Sequence, residues 1–299
     1  MSIAQRLVSA LPERTPLPPR RAGDRGRVVG CYIAATYTAA MYLLLAVGSA
    51  WPGAKAAAAG TSPAGEYVAT SMALKYSLVW LLVAVLTWLA LWGAEQSSAI
   101  GIRRLPARSL VGAVCAVFCL AEVPMFGLAV VWNLVGDRVP LLTAYSGSAD
   151  RSSLLADAAS SLAAGVSEEI IVLVLPALVA WRLGRRLTGP RLRRVGLVVL
   201  VLAMAALRLS YHLEYGVSVL PLLPWAIISV LLYLRTRTVL PLMIAHASYD
   251  LVLAVINRLG SRYGLTTAAA SFAVVAAAAF FTALRQAALA EQQQQHIAS

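Results

Sequence analysis

The stretch SLLADAASSLAAGVSEEIIVLVLPALVAW, residues 153–181, decides the fold. A helix of about 20 apolar residues crosses a bilayer core, and this run exceeds that length. It also carries two adjacent carboxylates, Glu168 and Glu169, deep inside it. A charge at mid-membrane costs about 2.5–3.5 kcal/mol on insertion scales, so such residues belong to a polar interior shared with other helices. Seven further apolar runs surround this one, at 28–51, 72–93, 109–135, 195–212, 217–234, 239–257 and 265–284. The pattern predicts an all-α, polytopic transmembrane helical bundle of about eight spans. Composition agrees: 60% of the 299 residues are apolar and 13% charged. A soluble domain carries about a quarter charged residues. A disordered chain, a disulfide scaffold and an ordinary soluble enzyme are excluded on that ground. Pro124 and Pro176 fall inside runs and are expected to kink them, whereas Pro241 opens a run, where proline is tolerated. The first run is read as a retained span, because residues 1–27 precede it and it exceeds a signal core in length.

The net charge of +12 suggests a polyanion partner until its placement is read. Eighteen of the 25 basic residues fall before the first run, in alternate loops and after the last run. Five fall on the opposite side, and Lys75 and Arg208 lie inside runs. That is the positive-inside pattern, with a cytoplasmic N-terminus and no nucleic-acid partner. Residues 1–27, with Pro16, Pro18 and Pro19 among arginines, read as a flexible basic arm suited to anionic lipid. The tail EQQQQHIAS, residues 291–299, is low-complexity and expected to be disordered. Cys31, Cys115 and Cys119 lie in apolar stretches, an odd set that argues against a disulfide framework.

Ionisable residues inside spans are the functional signal. Glu168 and Glu169 project about 100° apart on a helix, so one can do chemistry while the other holds structure. His246 and Asp250 stand at i, i+4 on one helix face, and Arg208 and His212 share that spacing on another. A desolvated glutamate beside a histidine can act as a general base toward water. Lys75 and Glu122 fit no motif and are read as an interhelical pair or as snorkelling groups. Tyr211 and Tyr215 are read as interfacial tyrosines. No HExxH occurs, no second aspartyl motif accompanies Tyr249-Asp250, and no GxSxG is present, which argues against zincin, aspartyl and serine types.

The ordered set SEEIIVL at Glu168 and Glu169, RLSYH ending at His212, and HASYD from His246 to Asp250 resembles the CPBP/Abi family. That family includes the CAAX prenyl endopeptidases of the Ras-converting type, with EExxxR, FxxxH and HxxxN/D motifs. The resemblance covers about residues 150–260 and divides the chain. A basic cytoplasmic arm spans 1–27 and N-terminal transmembrane helices 28–149. A CPBP-like catalytic core spans 150–260, the last transmembrane helix 261–290 and the tail 291–299. Two positions depart from the pattern: Leu173 stands where an arginine is expected, and Arg208 where a phenylalanine is expected. Arg208 is expected to supply the missing cation by pairing with Glu169 from the neighbouring helix.

The resemblance implies an intramembrane endopeptidase that hydrolyses a peptide bond of a membrane-associated peptide or protein. Glu168 with His212 would activate water, and His246 with Asp250 would stabilise the oxyanion. No cofactor is favoured, although Glu168, His212 and His246 form a donor set that suits zinc. The expected setting is a bacterial plasma membrane, with peptide maturation or peptide-toxin immunity as the context. Buried polar pairs serving only as interhelical glue would leave a catalytically inactive membrane protein, a transporter or an immunity or scaffold partner. One tension remains in the topology. His212 falls near the outer end of its run while His246 and Asp250 lie near mid-depth, so that run is partly re-entrant or the site opens elsewhere.

Overall fold

The structure, a computed structural model, describes residues 2–14, 25–59, 70–136, 153–184, 189–263 and 265–298. The described residues are almost wholly helical and contain no strand. In chain order the helices are α1 (Ile3–Ser9), α2 (Arg25–Ala58), α3 (Thr70–Ala94), α4 (Ser97–Ile100), α5 (Ala107–Val117) and α6 (Val123–Gly136). They continue as α7 (Leu154–Glu168), α8 (Leu175–Gly184), α9 (Pro190–Ser210), α10 (Leu223–Thr236), α11 (Leu240–Tyr263) and α12 (Leu265–Ala298).

Among the described residues, seven helical stretches are long and apolar enough to cross a membrane. They are Arg25–Pro52, Ser71–Ala94, Ala107–Trp132, Leu154–Arg182, Val219–Thr236, Leu240–Gly260 and Thr266–Gln292. The remaining run of the sequence, 195–212, forms α9. Arg191, Arg193, Arg194 and Arg208 dilute its apolar character, although Val195, Val198, Val199 and Leu202 make an outward apolar stripe along it. Large apolar side chains also point outward from α2 (Val29, Ile33, Leu44) and α3 (Leu78, Leu82), as expected of a surface solvated by lipid.

The stretch 153–181 is the centre of the bundle. Its span is 72% buried, against 17% for that of α12. Helix α7 packs on α3 on one side and on α11 on the other. Its contact with α11 depends on Gly165: a Cβ there would stand 2.6 Å from the Met243 carbonyl oxygen and 2.8 Å from the Ala247 side chain. No residue larger than glycine fits without separating the helices.

The two proline kinks take one particular form. A π-helical turn, Phe118–Glu122, joins α5 to α6 just before Pro124, and a second, Glu169–Val174, joins α7 to α8 just before Pro176. A proline ring lacks the N–H of the helical ladder and collides with the carbonyl four residues back. Widening the preceding turn relieves that collision, and such π turns recur at functional sites. Here each π turn carries a buried carboxylate, Glu122 in the first and Glu169 in the second.

Three expectations are corrected. Part of the basic arm is folded: Ser2 and Gln5 form a reciprocal capping box at the start of α1. Leu7 and Leu11 are buried, and α1 packs against α12. Much of the arm, 15–24, lies outside the described residues, as do residues 137–152 and 185–188. The tail does not start a disordered segment at 291: α12 runs on to Ala298, since glutamine, glutamate and alanine extend an existing helix at little cost. The run 217–234 begins as a 3-10 segment, Leu213–Leu222, and becomes α-helical only at Leu223. The three cysteines are free and half-buried.

Candidate active site

The three motifs converge between α7, α9, α10 and α11. Glu168 closes α7 and Glu169 opens the π turn, both buried. Arg208 stands in the last turn of α9 with its side chain fully enclosed, and its Nη2 lies 2.7 Å from Glu169 Oε1. The pairing anticipated across neighbouring helices is therefore made. Leu173, which replaces the arginine of the family pattern, is also fully buried, in the π turn. The cation at Glu169 thus comes from α9 instead of from the Glu-Glu segment itself.

His246 sits at the centre. Its Nδ1 is 3.0 Å from the same Glu169 Oε1, while Nε2 is 3.5 Å from Asp250 Oδ2 and 4.0 Å from Glu168 Oε2. An ionised Glu169, held by Arg208, accepts but does not donate, so His246 Nδ1 carries the proton toward it. Glu169 fixes the imidazole, and Glu168 stands on its other side beside Asp250, whose side chain is one-third exposed. His212, just past the end of α9, packs at a tilt against Tyr211, ring centroids 4.7 Å apart, and lies within electrostatic reach of Glu168 and His246.

Several participants were not read from sequence. Tyr211 is buried in the site and not interfacial, and its hydroxyl donates to Glu168 Oε2 at 2.6 Å. Trp225, in the first turn of α10, packs edge-on to His246 at 4.9 Å and lies under the Arg208 guanidinium at 4.3 Å. Glu122 is neither a snorkelling group nor a partner of Lys75. It is 1% exposed and accepts a 2.9 Å hydrogen bond from Trp225 Nε1, whereas Lys75 is exposed. Adjacency to His212 was the only sequence signal for Tyr211. Trp225 has none, and for Glu122 the signal was only a charge inside an apolar run, with no motif to place it. The side chain of Tyr215 lies outside those described.

A zinc ion needs three protein donors converging at about 2.0–2.2 Å from one point. Among the described residues, no group of three or more His, Cys, Asp or Glu side chains is arranged to hold a metal ion. The set Glu168, His212 and His246 does not close in this arrangement, and no step below is routed through a metal.

The acids, histidines and arginine of the three motifs are thus enclosed together between the helices. Residues 150–252 match the family model described as Rce1-like, the type II CAAX prenyl endopeptidases. The match falls on the three motifs and supports assigning this part of the chain to the CPBP/CAAX protease family. No curated protein and no solved structure is significantly similar to the chain.

Proposed function

We propose that the protein is an intramembrane endopeptidase that cleaves a membrane-associated peptide or protein by metal-independent activation of water. The observation that carries this is the convergence of Glu168, Glu169, Arg208, His246 and Asp250 in one buried cluster at the motif positions. Glu168, assisted by His212, takes a proton from water, and the resulting hydroxide attacks the scissile carbonyl carbon. The oxyanion that forms accepts from Nε2–H of His246 in its doubly protonated imidazolium form, with Asp250 donating directly when protonated and orienting the ring when ionised. Glu168 then returns its proton to the leaving amine. Glu169 and Arg208 do not touch the substrate; they hold the His246 ring in one orientation.

The N-terminus is cytoplasmic in this reading, on the strength of the basic-residue asymmetry. The substrate class is a peptide segment reached at the membrane, in peptide maturation or toxin immunity in a bacterial plasma membrane. The decisive experiment compares wild type with Glu168→Ala and His246→Ala, as purified proteins, for peptide cleavage with and without chelator. Cleavage by wild type alone, unaffected by chelator, is expected. Equal behaviour of all three removes the protease, and loss on chelation replaces the metal-free mechanism. Solute uptake into liposomes would point to the transporter instead.

A further inference from the structure

Glu122 is a buried acid outside every motif. It ends the π turn between α5 and α6, its Oε1 accepts from Trp225 Nε1 at 2.9 Å, and its Oε2 has no hydrogen-bond partner among the described residues. A buried acceptor held on an indole N–H has a use beyond filling space. That use is visible in what the indole touches. Trp225 is itself buried, and three motif residues meet its ring: Arg208 at 4.3 Å, His246 at 4.9 Å with an interplanar angle of 69°, and His212 at 6.2 Å. The Glu122 oxygen that accepts the indole N–H fixes the plane of the ring over which Arg208 sits, and so the geometry of the cation–π contact.

We propose that Glu122 is a positioning residue of the active site, acting through Trp225 to set the placement of His246 and the Arg208 guanidinium. This rests on the endopeptidase reading for its effect on turnover, but the placement itself can be measured without turnover. The chain of contacts runs from the π turn of α5/α6, through the first turn of α10, to α9 and α11. It joins a helix outside the family-matched segment to the motifs within it.

The test uses the full chain in detergent micelles, with Glu122→Ala, Glu122→Gln and Trp225→Phe. Each is read by cleavage kinetics and by NMR of the tryptophan indole N–H and histidine ring signals. Glu122→Ala is expected to shift the Trp225 indole and His246 ring resonances and to lower kcat by at least about tenfold with little change in KM. Glu122→Gln is expected to recover most of that loss, because its amide oxygen accepts the indole bond. Adding Glu122→Ala to Trp225→Phe is expected to cost no further activity, since both break one link. Unmoved His246 resonances in Glu122→Ala overturn the proposal whatever the kinetics, as does a fully additive double variant. If wild type cleaves nothing while Glu122→Ala still moves the His246 signals, the endopeptidase reading fails and the positioning role stands. Should Glu122→Ala fail to fold, Glu122→Gln and Trp225→Phe carry the same comparison.

Discussion

Arg208 is the position where this chain departs furthest from the pattern it resembles, and its geometry explains how the departure is tolerated. Its guanidinium occupies the space beside Glu169 that a cation must fill, since a lone buried carboxylate beside a second one is costly. Replacing Arg208 by leucine leaves Glu169 without its cation and should cost about 3–5 kcal/mol of stability. Cleavage should be abolished as well. The double change Leu173→Arg, Arg208→Phe is expected to restore both, as measured by thermal unfolding in detergent and by cleavage rate; a fully active Arg208→Leu protein would falsify the exchange. Tyr211→Phe tests a milder contact, the hydroxyl on Glu168. It should lower kcat about tenfold and leave KM unchanged, because the bond orients the base and does not bind substrate. The motif residues themselves were legible, since ionisable groups in apolar runs stand out. Tyr211 and Trp225 were not, because an aromatic in an apolar run is indistinguishable from core until its neighbours are known.

At the scale of elements, two devices bring the motifs together. Gly165 lets α7 and α11 approach to backbone contact, which brings the two glutamates beside His246. Gly165→Ala should force the helices apart at a cost of about 1–3 kcal/mol. Activity should fall further than stability alone accounts for, seen as a drop in kcat in protein that still unfolds cooperatively. Wild-type kcat in that variant would remove the close approach from the mechanism. The π turns are the second device. Sequence placed the prolines inside runs and so implied a disturbance there. It did not say that the disturbance would be a widened turn, or that Glu122 and Glu169 would both sit in one. The form of a kink depends on what the freed carbonyls meet, which belongs to packing.

Across the whole molecule, a second ionic link lies away from the motifs. Arg182, at the end of α8, pairs with Glu95 just beyond α3, its Nε at 2.8 Å, and Glu95 also accepts from the Tyr32 hydroxyl of α2 at 2.6 Å. Three helices are tied at this point. Arg182→Met alone should lower stability by about 3–5 kcal/mol by stranding Glu95. Arg182→Met combined with Glu95→Leu should recover most of it, by thermal unfolding in detergent. Orientation is tested at the same scale. With α9 counted as a span, as in the eight runs of the sequence, reporter fusions after residue 188 are expected to report the cytoplasm and fusions after residue 262 the opposite side. The reverse result inverts the proposed topology.

The sequence by itself determined that this is a helical membrane protein, where most of its spans lie, and that the ionisable residues of the three motifs share its interior. Those follow from run length and from the cost of charge in hydrocarbon, both properties of the chain taken one segment at a time. It also indicated that Arg208 must answer Glu169, because the cation absent at Leu173 had to come from somewhere. Tertiary structure alone decided that Glu169 holds His246 through Nδ1, leaving Nε2 toward Glu168 and Asp250. It alone brought Tyr211, Trp225 and Glu122 to the same place. Those contacts join segments remote in sequence, and their distances depend on how closely the helices pack and where their turns widen, which no single segment encodes.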